Sequence, residues 1–268
     1  MISPLASIHP AAQLGQHVTV DPFAVIHENV IVGSNSHIMS GAVLMPFTRI
    51  GNNCQIFHSA VIGGIPQDLK FRGEETTAEI GDGTTIREFV TVNRGTKDKW
   101  KTVIGSNCLL MAYAHVAHDC FVGNNVILAN GVQLAGHVEI GEYATIGGLA
   151  GAHQFVRVGA HTYIAGHTVI RKDVPPYVKA AREPMSYMGL NIVGMQRRGF
   201  PQENIDTLSH IYHLLFVGGH STTTAIAQIT EKIPDGDLKD EVLQFVTRSK
   251  IGIIKRFSKT GADEDQTF

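Results

Sequence analysis

His115, His118, Asp119, His137 and His153 fall where a repeat of the right length would bring them onto one surface. His118, Gly136 and Gln154 are spaced eighteen residues apart, as are Asp119 and His137. If eighteen residues make one turn of a solenoid, such residues sit one above another in coils about 4.8 Å apart. His118 then lies beneath Gly136, and Asp119 beneath His137. Those types in that order suit general-base chemistry. An imidazole titrates near working pH unaided, and a carboxylate beside it can orient the ring. A glycine leaves its backbone N–H approachable as an oxyanion donor. A single outward histidine on a repeat protein is ordinary surface, but four in one patch beside an aspartate are not.

The aliphatic residues supply that repeat. Every sixth position from Ile2 to Ile62, from Ile80 to Val92 and from Ile104 to Ile170 is Val, Ile or Leu, with Ala152 the one departure. Four residues after most of these comes a second small or branched residue, such as Ala24, Ala42, Thr48, Ala60 or Thr84. A period of six is neither helical nor the alternation of a half-buried strand. Gly15, Gly33, Gly51, Gly105, Gly123, Gly141 and Gly159 add a period of eighteen, so three hexads make one coil. A tight corner with positive φ is the expected use of these glycines, and Val, Ile and Thr suit the short strands between corners. The fold class expected is mainly β, a parallel solenoid over residues 1–175 whose coils bury each other's interior.

Asp68, Glu74 and Asp98 stand at hexad positions, so 64–79 and 93–103 should loop out while the phase is kept. Polar loops on a solenoid are common binding elements, although tolerated insertions read the same way. Past Ile170, Pro175 and Pro176 should end strand pairing. Residues 176–268 read as a C-terminal helical domain that covers the open end of the solenoid. Helices are expected over 188–198 with Gly199 closing it, over 201–217 with Pro201 in the first turn, over 222–233 and over 238–250. The tail from Gly261 to Phe268 is expected to be disordered.

The 43% hydrophobic content of 268 residues can bury a sizeable core, and a net charge of −2 gives no case for nucleic acid. Residues 1–12 lack a basic stretch followed by an apolar run, and no segment approaches a membrane span, so a cytoplasmic protein is expected. Cys54, Cys108 and Cys120 sit at small inward positions and read as reduced core residues.

PQDLKFRGE at 66–74, NRGT at 93–96, AHVAHDC at 114–120, LAGHV at 134–138, AHQF at 152–155, DVPPYV at 173–178 and GLNIVGMQRRGF at 189–200 carry a resemblance. Among hexapeptide-repeat acyltransferases, this chain resembles the UDP-N-acetylglucosamine O-acyltransferases that open lipid A biosynthesis, over nearly its whole length. The resemblance implies a left-handed parallel β-helix of triangular section followed by the helical domain. It implies transfer of an (R)-3-hydroxyacyl group from acyl carrier protein to the glucosamine 3-hydroxyl of UDP-N-acetylglucosamine, without cofactor or metal. His118 is then the general base, Asp119 orients it, and Gly136 stabilises the oxyanion, while His115, His137, His153 and Gln154 line the pocket. Asp68, Lys70, Asn191, Arg197 and Arg198 match positions that hold the sugar nucleotide, a guanidinium pair suiting a diphosphate. Without the resemblance, Arg197 and Arg198 read equally as favourable charges at a helix C-terminus.

Gly166 corresponds to the floor of the family's acyl groove, where glycine leaves room for a donor of the 14-carbon class or longer. Val193 stands where the family commonly has glutamate, which keeps a 3-amino sugar acceptor open as the alternative. Family members are homotrimers with each site between neighbouring prisms, and Lys70, Arg72, Arg94, Lys97, Lys99, Lys101, Arg171, Lys172, Lys179 and Arg182 could steer an acidic acyl carrier protein. Two other classes remain: a hexapeptide-repeat carbonic anhydrase, which gathers three histidines on zinc, and a non-catalytic scaffold. The first lacks the RRGF-containing helical segment, and the second would not need the AHDC set.

Overall fold

The computed structural model describes residues 1–256. Short strands, mostly of two residues, follow one another at every hexad and stack into three sheets of nine, eight and eleven strands. Each sheet is one face of a triangular prism, a left-handed parallel β-helix. The first face runs from Ser7–Ile8 to Val169–Ile170, the second from Gln13–Leu14 to Arg157–Val158, and the third begins at Thr19–Val20. Up to Ile170 and outside the two loops, parallel neighbours are eighteen residues apart, as in His115 with Gln133 and Gln133 with Gly151.

The period of six is a period of burial. The aliphatic hexad residues from Val20 to Ile170 are all buried, and Ala24, Ala42, Thr48, Cys54 and Ala60 fill the corners between them. At the N-terminal end, where no coil lies beneath, Ile2 is exposed and Ile8 and Leu14 are half-buried. Cys54, Cys108 and Cys120 are free thiols in this interior. Burial pushes all three up, Cys120 to about 12.

The glycines of the eighteen-residue period do not serve as expected, because none of them takes positive φ. A Cβ on Gly33 would lie 2.5 Å from the carbonyl carbon of Gly51, and one on Gly141 would lie 2.4 Å from Ala160 N. Successive coils approach too closely at this corner for any side chain. The left-handed residue is two positions on, where Asn35, Asn53, Asn107 and Asn125 have φ between 55° and 60°, a conformation asparagine tolerates well.

Strand Thr77–Ile80 pairs with Lys101–Ile104, so the segments that leave the prism are 65–76 and 94–100. Strand pairing also outlasts Pro175 and Pro176. Val178–Ala181 joins the third face beside Tyr163–Ile164, Ser186–Leu190 returns antiparallel, and Lys255–Arg256 adds the outermost strand. Met188 to Leu190, expected as helix, is therefore strand, since a β-hairpin off the hexad phase leaves no mark on the period of six.

The first helix is short, α1 (Ile192–Arg197), with Gly199 just past it at φ 76°. Then come α2 (Gln202–Tyr212), a π-helical turn (His213–Val217), α3 (Thr222–Lys232) and α4 (Asp237–Thr247). Ile205, Leu208, Ile211 and Tyr212 of α2 are buried, and Tyr212 Oη donates to Pro176 O at 2.6 Å. Arg157 of the prism stacks over Phe245 of α4, 4.4 Å from the ring centre. The helices thus lie against the C-terminal coils. Residues 261–268, expected to be disordered, lie outside the described residues. Among the described residues, no helix is long and apolar enough to cross a membrane.

Candidate active site

The corner between the first and second faces carries the histidine patch. Strands His115–Val116, Gln133–Leu134 and Gly151–Ala152 reach it in register, so His118, Gly136 and Gln154 form one column and Asp119, His137 and Phe155 the next. The His118 ring lies against Gly136, where a Cβ would come within 2.6 Å of Cε1 and 2.7 Å of Nε2. Glycine at 136 admits the imidazole. Asp119, His137 and Phe155 occupy the left-handed corner position, with φ of 59°, 63° and 66°. His137 stacks on Phe155 at 4.6 Å and meets His118 edge-on at 5.1 Å.

Asp119 is buried. Its Oδ2 accepts from His118 Nδ1 at 2.8 Å and from Thr96 Oγ1 at 2.6 Å. Its Oδ1 accepts from the backbone N–H of Thr96 at 2.9 Å and of Lys99 at 3.2 Å. Burial alone would raise this carboxyl, but the bonds from His118, Thr96 and Lys99 favour the charged form and hold it down at about 2. Asp119 is therefore ionised at working pH, and it selects the His118 tautomer with the proton on Nδ1. His118 Nε2 hydrogen-bonds no described residue and lies 4.0 Å from Asp68 Oδ2. An imidazole held this way can take a proton at Nε2.

The other histidines surround this pair. His137 Nε2 is 3.8 Å from Asp119 Oδ2. His137 Nδ1 is 3.2 Å from Asp98 Oδ2, at an angle that makes no hydrogen bond and leaves that nitrogen buried without one. His115 Nδ1 lies 2.7 Å from Thr91 Oγ1. Burial, with a smaller contribution from His118, pushes His115 down from its ordinary value, so it is neutral at working pH. From this corner a groove of about 350 Å³ crosses the outer surface of the first face, lined by His115, Ala117, Gln133, Ala135, Gly151 and His153. Gln154 is exposed at its rim.

Asp68 and Lys70 come from the 65–76 loop, in a turn where Lys70 N–H donates to Asp68 Oδ1 at 2.9 Å and the Lys70 side chain is exposed. Arg94 anchors this loop. It is not the exposed, steering charge expected of it: it is buried, its guanidinium 5.3 Å from the ring centres of both Phe47 and Phe71. Phe71 can reach it because the loop folds back over the prism.

The remaining expected residues stand on other corners. Gly166 is exposed on the corner between the third and first faces, at the far edge of the groove's face, where a Cβ would meet Gly148 O at 2.9 Å. Asn191 accepts from Gly194 N–H at 3.3 Å, capping α1, and donates to His161 O at 2.9 Å. Arg197 is exposed in the last turn of α1. Arg198 donates to Tyr143 O at 3.0 Å, its guanidinium 5.2 Å from that ring's centre. Tyr143 and His161 stack with Tyr177 on the corner between the second and third faces. Within one chain, the width of the second face separates Asn191, Arg197 and Arg198 from His118.

His118, Asp119 and His137 are the one group among the described residues with ligand atoms close enough to share a metal ion, all within 4.8 Å. The Asp119 oxygens already accept four hydrogen bonds, so coordinating zinc through Oδ2 would displace the bonds from His118 and Thr96 that help keep Asp119 ionised. Reading the sequence missed Thr96 and Phe155. Phe155 stands eighteen residues from His137 and could have been placed by the repeat, whereas Thr96 belongs to a loop whose contacts no period reports.

A family model described as UDP-N-acetylglucosamine O-acyltransferase, domain 2, matches residues 173–254, and one described as bacterial transferase hexapeptide (six repeats) matches residues 11–45 and 101–136. An acyl-(acyl-carrier-protein)–UDP-N-acetylglucosamine O-acyltransferase of Paraburkholderia phymatum is 47% identical over 259 residues, 95% of this chain and 99% of its own length. The crystal structure of LpxA, a UDP-N-acetylglucosamine acyltransferase from Bacteroides fragilis, superposes with a TM-score of 0.93 at 46% identity, covering 95% of this chain and 100% of that one. An Arabidopsis UDP-N-acetylglucosamine acyltransferase gives 0.84 at 32% identity, covering 95% and 100%. With 47% identity over 95% of the chain and the same fold along the full length of such relatives, the chain belongs to the acyl-(acyl-carrier-protein)–UDP-N-acetylglucosamine O-acyltransferase family.

Proposed function

We propose that this chain transfers an (R)-3-hydroxyacyl group from acyl carrier protein to the 3-hydroxyl of UDP-N-acetylglucosamine, the first step of lipid A biosynthesis, with His118 as general base. The observation that carries this reading is the 2.8 Å bond from His118 Nδ1 to a buried, ionised Asp119, beside a groove that can hold an acyl chain. His118 Nε2 removes the proton of the sugar 3-hydroxyl as its oxygen attacks the thioester carbonyl, and Asp119 stabilises the imidazolium that forms. The Gly136 N–H, which donates to no described residue, stabilises the tetrahedral oxyanion. Collapse breaks the C–S bond, and the imidazolium returns its proton to the carrier thiolate. No cofactor or metal enters these steps.

The acyl chain lies along the first face, with Gly166 at its far edge admitting 14 carbons or more. Asp68, Lys70, His115, His137, His153 and Gln154 bind the sugar nucleotide and the head of the acyl group. Asn191, Arg197 and Arg198 reach the site from a neighbouring copy in a cytoplasmic homotrimer, since their own corner is a face away from His118. Exposed Lys70, Arg72, Lys97, Lys99 and Lys101 steer the carrier protein. Val193 is 58% exposed on α1 and brings no carboxylate, which supports the 3-amino sugar as a second acceptor.

The test is a transfer assay with hydroxymyristoyl acyl carrier protein and each acceptor, with the product identified by mass and by base lability. An ester from UDP-N-acetylglucosamine is expected. Preferential amide formation would overturn the choice of acceptor, and no product from either would overturn the function.

A further inference from the structure

We infer that Thr96 is a positioning residue for this reaction, clamping the Asp119 carboxylate so that it is presented to His118 Nδ1. The inference rests on His118 being the base. Three of the four hydrogen bonds on the Asp119 carboxylate come from the 94–100 loop: two from Thr96 and one from Lys99 N–H. Without them the buried carboxylate would have only His118.

The direction of the Thr96 hydroxyl is fixed. Its Oγ1 accepts from Asp98 N–H at 3.2 Å, so its proton points at Asp119 Oδ2, 2.6 Å away. The β-branch restrains χ1 in that orientation. The loop is pinned to the prism by Arg94 N–H on Gly64 O and Gly95 N–H on Thr77 O at 2.9–3.1 Å, and is closed on itself by Trp100 N–H on Thr96 O at 2.8 Å. Thr76 Oγ1 bonds Gly95 O at 2.5 Å. Thr96 is 8% exposed and does not line the groove, so it acts through Asp119 and not on substrate.

Oδ2 is shared between Thr96 and His118, and that sharing moderates the pull on Nδ1–H. The other ionisable groups facing the pair are His137, Asp68 at 4.0 Å from His118 Nε2, Asp98 at 3.2 Å from His137 Nδ1, and His115. With the Thr96 hydroxyl gone, Oδ2 becomes a stronger acceptor, holds the imidazolium more tightly and raises the pH at which the base is freed.

Thr96→Val, close to Thr in shape, tests this beside Asp119→Asn and the double variant. Losing one hydrogen bond to a charged group predicts a fall in kcat of about 10- to 100-fold, with KM for the sugar nucleotide held within about twofold of wild type on the same reasoning. The acid limb of the kcat profile should move to higher pH. Thr96→Ser should recover most of the lost kcat, and Thr96→Val should add nothing in the Asp119→Asn background. An unchanged kcat and pH profile in folded Thr96→Val would overturn the proposal, as would an equal further loss in the Asp119→Asn background. If Thr96→Val does not fold, Thr96→Ala carries the same predictions. Full activity of His118→Ala would instead overturn the reading on which the inference rests.

Discussion

Asp119→Asn keeps the shape of the side chain and removes its charge. The amide oxygen can still accept from Thr96 N–H and Lys99 N–H, as Oδ1 does now. Its NH2 would then face Thr96 Oγ1 and His118 Nδ1, where a carboxylate oxygen now accepts from both. Facing a donor, His118 must turn Nδ1 into an acceptor and carry its proton on Nε2, the atom that should take one from substrate. A fall in kcat of about 10²- to 10⁴-fold follows, the usual worth of a general base. Stability should fall as well. The folded carboxyl sits at about 2 against an ordinary 3.8, which at about 1.36 kcal/mol per unit is worth about 2.5 kcal/mol. Because the folded value is depressed, that stabilisation is complete above about pH 4 and is lost as pH falls through about 2. Denaturant unfolding of wild type and variant should therefore differ by about 2.5 kcal/mol at pH 7 and by roughly half that at pH 3. A kcat within about fivefold of wild type, or a stability gap that does not change between pH 7 and pH 3, would refute this account of Asp119.

Gly141→Ala should destabilise the prism by about 2 kcal/mol or more, because its Cβ would lie 2.4 Å from backbone Ala160 N and neither coil can yield alone; thermal unfolding checks it, and an unchanged midpoint would disprove the close-approach explanation. Gly166→Met should shift the preferred donor to shorter acyl chains in a competition among carrier-bound 3-hydroxyacyl groups of different length. Its Cβ would also crowd Gly148 O at 2.9 Å, so about 1–3 kcal/mol of stability should be lost with it. An unaltered chain-length profile would remove Gly166 from the groove.

Much of this was legible in the sequence, because a solenoid writes its geometry as a period. The inward residues from Val20 to Ile170, and the stacking of His118 under Gly136, follow from counting. What the period does not encode was misread or missed. Close approach and positive φ both select glycine, and only coordinates separate Gly141, which needs the first, from Asn125 nearby, which supplies the second. Ser186–Leu190 lies off the hexad phase, so its last three residues read as helix. Arg94 was counted as a surface charge because the cover provided by Phe71 depends on how the 65–76 loop folds back. Thr96 was missed for the same reason, its bond to Asp119 spanning 23 positions between a loop and a corner.

His118 Nε2 is the centre of the account, and the rate of acyl transfer in its absence tests that most directly. Product formation from UDP-N-acetylglucosamine and a carrier-bound 3-hydroxyacyl group should fall by about 10²-fold or more in folded His118→Ala, with binding of the sugar nucleotide retained. Transfer by that variant at a rate near wild type would contradict the assignment of the base and the role given to the whole histidine corner.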